Sequence, residues 1–211
     1  MAAILTEMTH RTSNSLVQVF TRAPVPGEVK TRLIPELGEQ GAASLHADLA
    51  GHLLGSLDES KLAAEVWVSS DTDHPFFDQF TAERRHQQGS DLGDRMAFAL
   101  ADGLSRASKV VLIGTDLPSL DVSYVETAFD ALDSHQVVLG PAVDGGYGLI
   151  GVLGSAPAIF SGIAWGGPAV LAETCRKLNE LRCRYRLLPL IWDVDTPEDL
   201  VRYDAWMEAQ N

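Results

Sequence analysis

Apolar positions fall along this chain in two alternating rhythms. Leu16-Val-Gln-Val-Phe20 is a run that reads as a strand, and Val66-Trp-Val68 is a shorter candidate. Val110-Val-Leu-Ile113 and Val137-Val-Leu139 are β-branched runs bounded by turn residues, the pattern of strands buried on both faces. Between the strands, Leu45, Leu49, Leu53 and Leu57 recur at helical spacing and form an amphipathic stripe. Leu92, Met96, Ala99 and Leu100 repeat it, as do Val122, Val125, Phe129 and Leu132. This alternation predicts a mostly parallel central sheet with helices on both faces. After Gly140 the rhythm changes: Tyr147–Leu153 reads as strand, Val170–Leu181 as helix and Tyr185–Ile191 as strand. Thr196 then reads as an N-cap with Pro197 at the first helical position. No repeat, low-complexity segment or linker interrupts the pattern. Residues 15–211 are expected to form one α/β domain, and the polar, mixed residues 1–14 a flexible tail.

Composition narrows the class. No uninterrupted apolar run approaches the ~18 residues of a membrane-spanning helix. Cys175 and Cys183 are the only cysteines, too few for a disulfide framework, and they fit a reducing cytoplasm. Neither has a histidine nearby in sequence. Cys175 falls in the apolar stripe Val170, Leu171, Thr174, Leu178, and Cys183 at a helix-to-strand turn, so neither is expected to be catalytic. A formal net charge of −13 disfavours a nucleic-acid partner. A phosphate site here must supply local cations or use Mg²⁺.

Such cations follow the first strand. Phe20-Thr-Arg-Ala-Pro-Val-Pro-Gly-Glu-Val-Lys-Thr-Arg-Leu33 places Arg22, Lys30 and Arg32 in a segment whose two prolines and glycine disfavour regular structure. In an open α/β sheet, ligands bind outside the carboxyl ends of the strands. The loop is expected to be exposed, so Lys30→Ala and Arg32→Ala should damage phosphate binding while sparing the fold. It is not a Walker A loop, since Val29 stands where that motif needs glycine before the lysine. Gly146-Tyr-Gly148-Leu-Ile-Gly151 matches a dinucleotide fingerprint in spacing but is not followed by a helix, so it is set aside.

Acids cluster at other strand ends. Asp116 follows Ile113 at the ligand-binding edge, where it can hold Mg²⁺ against phosphates or stabilise its own turn. Asp193 and Asp195 alternate ahead of the last helix and repel unless a cation lies between them, which makes them candidate ligands of the same ion. Glu198 and Asp199 suit the helix dipole. Asp144-Gly145-Gly146-Tyr147 is either a hairpin turn or a close backbone approach to ligand. Asp91 is either an N-cap or, with Gly89 and Arg95, part of a nucleotide contact. His46, His52, His74 and His86 lack metal spacing and are expected near the surface.

Five ordered motifs together resemble the DUF2064 family of the GT-A, nucleotide-diphospho-sugar transferase superfamily. They are Arg22-Ala-Pro-x-Pro-Gly-x-Val-Lys-Thr-Arg-Leu33, Gln88-Gly-x-Asp-Leu-Gly-x-Arg-Met96, Gly114-Thr-Asp-x-Pro-Ser-Leu120, Gly140-Pro-x-x-Asp-Gly-Gly-Tyr147 and Asp193-Val-Asp-Thr-Pro-Glu-Asp-Leu200. The first and last are also similar to those of 2-phospho-L-lactate guanylyltransferases. Many members of the family have Lys where this chain has Arg22. The resemblance implies a Rossmann-like GT-A fold and Mg²⁺ (or Mn²⁺) held by Asp116 and Asp193, with Asp195 as a further ligand. On that reading Lys30, Arg32 and Asp116 carry catalysis, with Arg22, Pro26, Gly27, Gly89, Asp91 and Arg95 on the nucleotide side. Asp144, Gly145, Gly146 and Tyr147 would face the acceptor. The implied activity is nucleotidyl transfer from an NTP to a small phosphorylated acceptor. Glycosyl transfer from a nucleotide sugar is the first alternative, though Gly114-Thr-Asp116 offers one acid where such enzymes usually carry Asp-x-Asp. A non-catalytic nucleotide-binding regulator is the second. Neither nucleic acid nor membrane is an expected partner, and the expected location is the cytoplasm.

Overall fold

A computed structural model describes residues 15–155 and 158–210. The predicted tail over residues 1–14 lies outside the described residues. The strands are β1 (Ser15–Thr21), β2 (Ala64–Val68), β3 (Glu83–His86), β4 (Lys109–Gly114), β5 (Val137–Pro141), β6 (Tyr147–Leu153) and β7 (Tyr185–Leu187). The helices are α1 (Ile34–Glu59, broken at Gly38), α2 (Leu92–Leu104), α3 (Val122–Ala131), α4 (Val170–Glu180) and α5 (Pro197–Gln210). The strands form a seven-stranded sheet in the order β3-β2-β1-β4-β6-β5-β7. Every pairing is parallel except those of β6, which runs antiparallel to both β4 and β5.

Alternation along the strands sorts the core into two layers. Val17, Val19, Val111 and Ile113 face α1 and α3 through Leu53, Leu57, Val125 and Phe129. Leu16, Phe20, Val110 and Leu112 face α2 and α4 through Met96, Leu100 and Leu178. A smaller cluster of Leu33, Leu45, Leu49, Trp192 and Val194 receives Leu200, Tyr203 and Trp206 of α5.

One predicted element changes, and one strand appears that was not predicted. β7 ends at Leu187, and Ile191 only bridges to Ala142, because Pro189 lacks the N–H a continuing ladder needs. β3, Glu-Arg-Arg-His, carries no apolar alternation and was not predicted. It forms as an edge strand on β2, and its charges suit a sheet edge. Arg85 on β3 pairs with buried Glu65 and lies 5.9 Å over the Trp67 ring.

The order places β1 between β2 and β4, whose carboxyl ends open on the same edge. The β5–β6 hairpin turn reaches that edge because β6 runs the other way.

Candidate functional site

The segment after β1 folds on itself. Arg22 spans it by donating from Nη1 to the Glu28 carbonyl at 3.1 Å and from Nε to Ser69 Oγ at 3.4 Å. The Ala23 amide donates to Ser70 Oγ, which fixes the loop against the end of β2. Lys30 sits in the left-handed region (φ 47°), a conformation that typically costs a non-glycine residue about 1–3 kcal/mol. Its side chain is 2% exposed, with Nζ 2.8 Å from Asp116 Oδ2. This corrects the expected exposure: the loop bends inward there and the counter-ion, not solvent, receives the ammonium. Arg32 is exposed as expected and reaches Asp195 Oδ2 at 2.7 Å.

Asp116 follows β4, and its carbonyl accepts from the Val194 amide, which brings the Asp193–Asp195 segment beside it. Behind the carboxylate lies a buried polar floor of Thr21, Thr115 and His46. The two threonine hydroxyls are 3.1 Å apart, and His46 Nδ1 is 3.5 Å from Asp116 Oδ1. Burial raises the Asp116 carboxyl, but the Lys30 ammonium and His46 more than reverse this and hold it well below the usual carboxylate range. His46, expected near the surface, is instead buried behind the Asp116 carboxylate. The signal was present: it falls between Ala42 and Ala50 on the buried face of α1 rather than on the outer one.

The far wall is built differently. Asp144 turns the β5–β6 connection, accepting from the Gly146 amide at 2.9 Å. Gly145 (φ 90°) lies so close to α4's leading loop that a Cβ would stand 2.2 Å from the Pro168 carbonyl oxygen. The hairpin turn is present, and it also lines the cavity through Asp144, Gly146 and Tyr147. Trp165 stands edge-on to Tyr147 with centroids 6.4 Å apart. Gly148 is bare because a Cβ would fall 2.2 Å from Leu117 Cδ1, which explains the decoy glycine pattern as strand packing. Burial raises the Asp193 carboxyl, and the negative charge of Asp144 adds to it.

One cavity of about 680 Å³ joins these walls, large enough for a nucleotide. Lys30, Arg32, Asp116, Asp193 and Asp195 all line it, as do Arg22 and Arg95. Pro26, Gly27, Gly89, Asp91 and Gly145 are not in its lining. Asp91 caps α2 by accepting from the Asp94 amide, and the Gly89 carbonyl accepts from Arg95 Nε. Thr196 and Asp199 form a reciprocal cap on α5. Besides His46, Thr115, Gln87 and Trp165 join the lining without having been predicted.

Two of the three predicted metal carboxylates are paired with cations. The described residues contain no cluster of three or more His, Cys, Asp or Glu side chains able to hold an ion. Asp116 is engaged by Lys30 and His46, and Asp195 by Arg32. The arrangement does fit an ion arriving with phosphates, since Mg²⁺ is usually held by one or two carboxylates plus substrate oxygens. No helix among the described residues is long and apolar enough to cross a membrane.

Residues 54–167 match the family model described as "Uncharacterized protein conserved in bacteria (DUF2064)". No curated protein matches the chain. Among solved structures, the chain is similar to a provisionally named nucleotide-diphospho-sugar transferase from Desulfovibrio desulfuricans G20. The two are 34% identical over 87% of this chain and 83% of that one, with a TM-score of 0.82. It also resembles CMP:2-keto-3-deoxy-manno-octonic acid synthetase complexed with CTP, at 13% identity over 94% of this chain and 100% of that one (TM-score 0.60). A third likeness is to the Mycobacterium tuberculosis H37Rv protein Rv0371C in complex with manganese, at 15% identity over 90% and 97% (TM-score 0.50). At those identities the last two show a shared fold.

Proposed function

The chain belongs to the DUF2064 family, and from that premise we propose that it is a divalent-metal-dependent transferase acting on a nucleotide. The supporting observation is the meeting of two cation–carboxylate pairs, Lys30–Asp116 and Arg32–Asp195, at the carboxyl edge of β1 and β4 in one cavity. Residues 15–211 serve as one catalytic domain, and the two free cysteines suit a cytoplasmic location.

The favoured chemistry is nucleotidyl transfer. An acceptor oxygen attacks the α-phosphorus of an NTP, a new P–O bond forms, and the bond to the β-phosphate bridge breaks with its electron pair leaving on pyrophosphate. Lys30, Arg32 and Arg22 neutralise the triphosphate, and Asp116 and Asp193 are the carboxylates that would hold Mg²⁺ or Mn²⁺. When bound there, the ion would supply charge stabilisation to the developing negative charge. Positioning and electrostatics suffice for such a transfer, with no covalent nucleophile.

A second reading is supported by the far wall. Every lining residue from Ala142 onward is a glycine, an apolar or aromatic residue, or an acid. That surface suits hydroxyl groups and not the phosphorylated acceptor expected from the sequence, and it favours a sugar ring. Glycosyl transfer from a nucleotide sugar is the second reading, supported by this lining.

The test is a thermal-shift screen of NTPs and nucleotide sugars in MgCl₂, MnCl₂ and EDTA, followed by turnover assays on the ligands that bind. Metal-dependent stabilisation with pyrophosphate release marks nucleotidyl transfer. Nucleoside diphosphate release from a nucleotide sugar marks the second reading. Binding without turnover over a broad acceptor panel points to a regulator, and no binding at all ends the proposal.

A further inference from the structure

Helix α1 buries Ala42, Leu45, Leu49, Ala50 and Leu53 on one face, and in their midst it buries one imidazole. Nothing in the packing of that face calls for a polar ring. His46 is 5% exposed, and its two nitrogens meet the two loops that build the phosphate side of the cavity. Nε2 lies 3.1 Å from the Arg22 carbonyl oxygen, at the root of the loop that carries Lys30 and Arg32. Nδ1 lies 3.5 Å from Asp116 Oδ1, on the opposite loop. That carboxylate oxygen is buried, and among the described residues the ion-pair contact it makes is with this ring nitrogen. Oδ2, the other oxygen, is the one turned to Lys30.

We infer that His46, with a proton on each ring nitrogen because both partners are acceptors, is a positioning residue for the transfer reaction: Nδ1 donates toward the Asp116 carboxylate and fixes its rotation, and Nε2 donates to the Arg22 carbonyl and anchors the β1 loop. The inference rests on the reading of the cavity as a nucleotide site. A carboxylate pinned on Oδ1 presents Oδ2 toward the place where Lys30, phosphates and a divalent ion would meet. A carboxylate free to rotate must be ordered when the ligand arrives, which weakens binding. Thr21 Oγ1, 3.5 Å from Nε2 and 3.1 Å from Thr115 Oγ1, ties the ends of β1 and β4 behind the ring, so the two loops share one rigid backing.

The ring's two roles can be separated chemically. An Asn side chain places its amide near the former Nδ1, a Gln side chain near the former Nε2, and Leu supplies neither. Ligand-free His46→Leu, His46→Asn and His46→Gln are compared with wild type by the carboxyl ¹³C resonance of Asp116 and by amide hydrogen exchange at Ala23 and Val25. Leu should shift the resonance and speed the exchange, Asn should restore the resonance alone, and Gln should restore slow exchange alone. In MnCl₂ with the best-binding nucleotide, Leu should lose at least tenfold in affinity, and Asn should recover more of it than Gln. If Leu fails to fold, the crossed behaviour of Asn and Gln still decides. Leu matching wild type in both ligand-free readouts, or Asn and Gln behaving alike, overturns the inference. A wild-type protein that binds no nucleotide, with the crossed ligand-free pattern intact, removes the functional reading and leaves the positioning role standing.

Discussion

The two walls of the cavity differ in how their charges are settled. On the β1–β4 side each strong charge has a partner: Lys30 meets Asp116, and Arg22 is spread over Glu28 and Ser69. On the hairpin side the Asp193 carboxyl is raised by burial, and the negative charge of Asp144 adds to it. A wall with settled charges contributes to stability before any ligand binds. A wall with unsettled charges holds a cost that only a ligand or ion relieves, which is how binding sites commonly differ from the rest of a fold. The same substitution chemistry should therefore have opposite signs on the two walls.

The largest effect is expected at Lys30. Lys30→Ala removes the ammonium from Asp116 and from the phosphates, so nucleotide affinity should fall at least a hundredfold. A lost hydrogen bond to a charged group costs about 1.5–3 kcal/mol of stability. Because φ is 47° there, Lys30→Gly should unfold at higher denaturant than Lys30→Ala, by about 0.5–1 kcal/mol, while binding nucleotide equally badly. Equal stability of the two variants would mean that the left-handed turn carries no strain.

Asp116→Asn comes next. Metal-dependent nucleotide binding should fall at least tenfold, about 1.4 kcal/mol. With Lys30 beside it, loss of the charge should destabilise the ligand-free protein. The carboxyl is held low in the folded state, so its contribution is present above its unfolded pKa of about 4 and fades as the pH falls below that. The variant should thus show a flatter acid limb in stability against pH.

Asp193→Asn should have the opposite sign. Its carboxyl is raised in the folded state, so ionisation works against folding at neutral pH. The variant should gain on the order of 1 kcal/mol at pH 7 while losing metal-dependent affinity. That gain should vanish below about pH 4, where both states are protonated. A loss of stability at neutral pH would erase the contrast between the walls.

The legibility of these features from sequence follows the same division. Strands such as Val110–Ile113 declare themselves as continuous β-branched runs buried on both faces, and the Leu45–Leu57 stripe declares itself because burial repeats with the helical period. The loop cations and Asp116 were legible because they sit at strand ends, where an α/β sheet binds ligands. β3 was not legible, since its pairing comes from β2 and not from apolar content of its own. The burial of Lys30 and His46 depends on partners 86 and 70 positions away, Asp116 in both cases, and no local pattern encodes such a meeting. The partner of Asp195 was hidden for a related reason: spacing put Asp193 and Asp195 on one side, and Arg32, distant in sequence, pairs with the second of them.

Arg32 gives the smallest effect on folding and so the sharpest separation of roles. Its side chain is 70% exposed and its pair with Asp195 is open to solvent. Such a pair contributes about 0–1 kcal/mol, so Arg32→Ala should unfold within that margin of wild type. If the guanidinium leaves Asp195 for a phosphate when nucleotide binds, the variant should still lose about tenfold in affinity, since a bond to a charged group is worth about 1.5–3 kcal/mol against that weak pair. Raising the salt concentration should narrow the difference between variant and wild type, because both the pair and the phosphate contact are exposed and screened. Asp195→Asn is the complementary measurement: it frees Arg32 without removing it, so nucleotide affinity should hold or rise. If Asp195→Asn instead weakens binding as much as Arg32→Ala does, the pair works as a unit, and Asp195 belongs with Asp116 and Asp193 among the groups that receive the ligand.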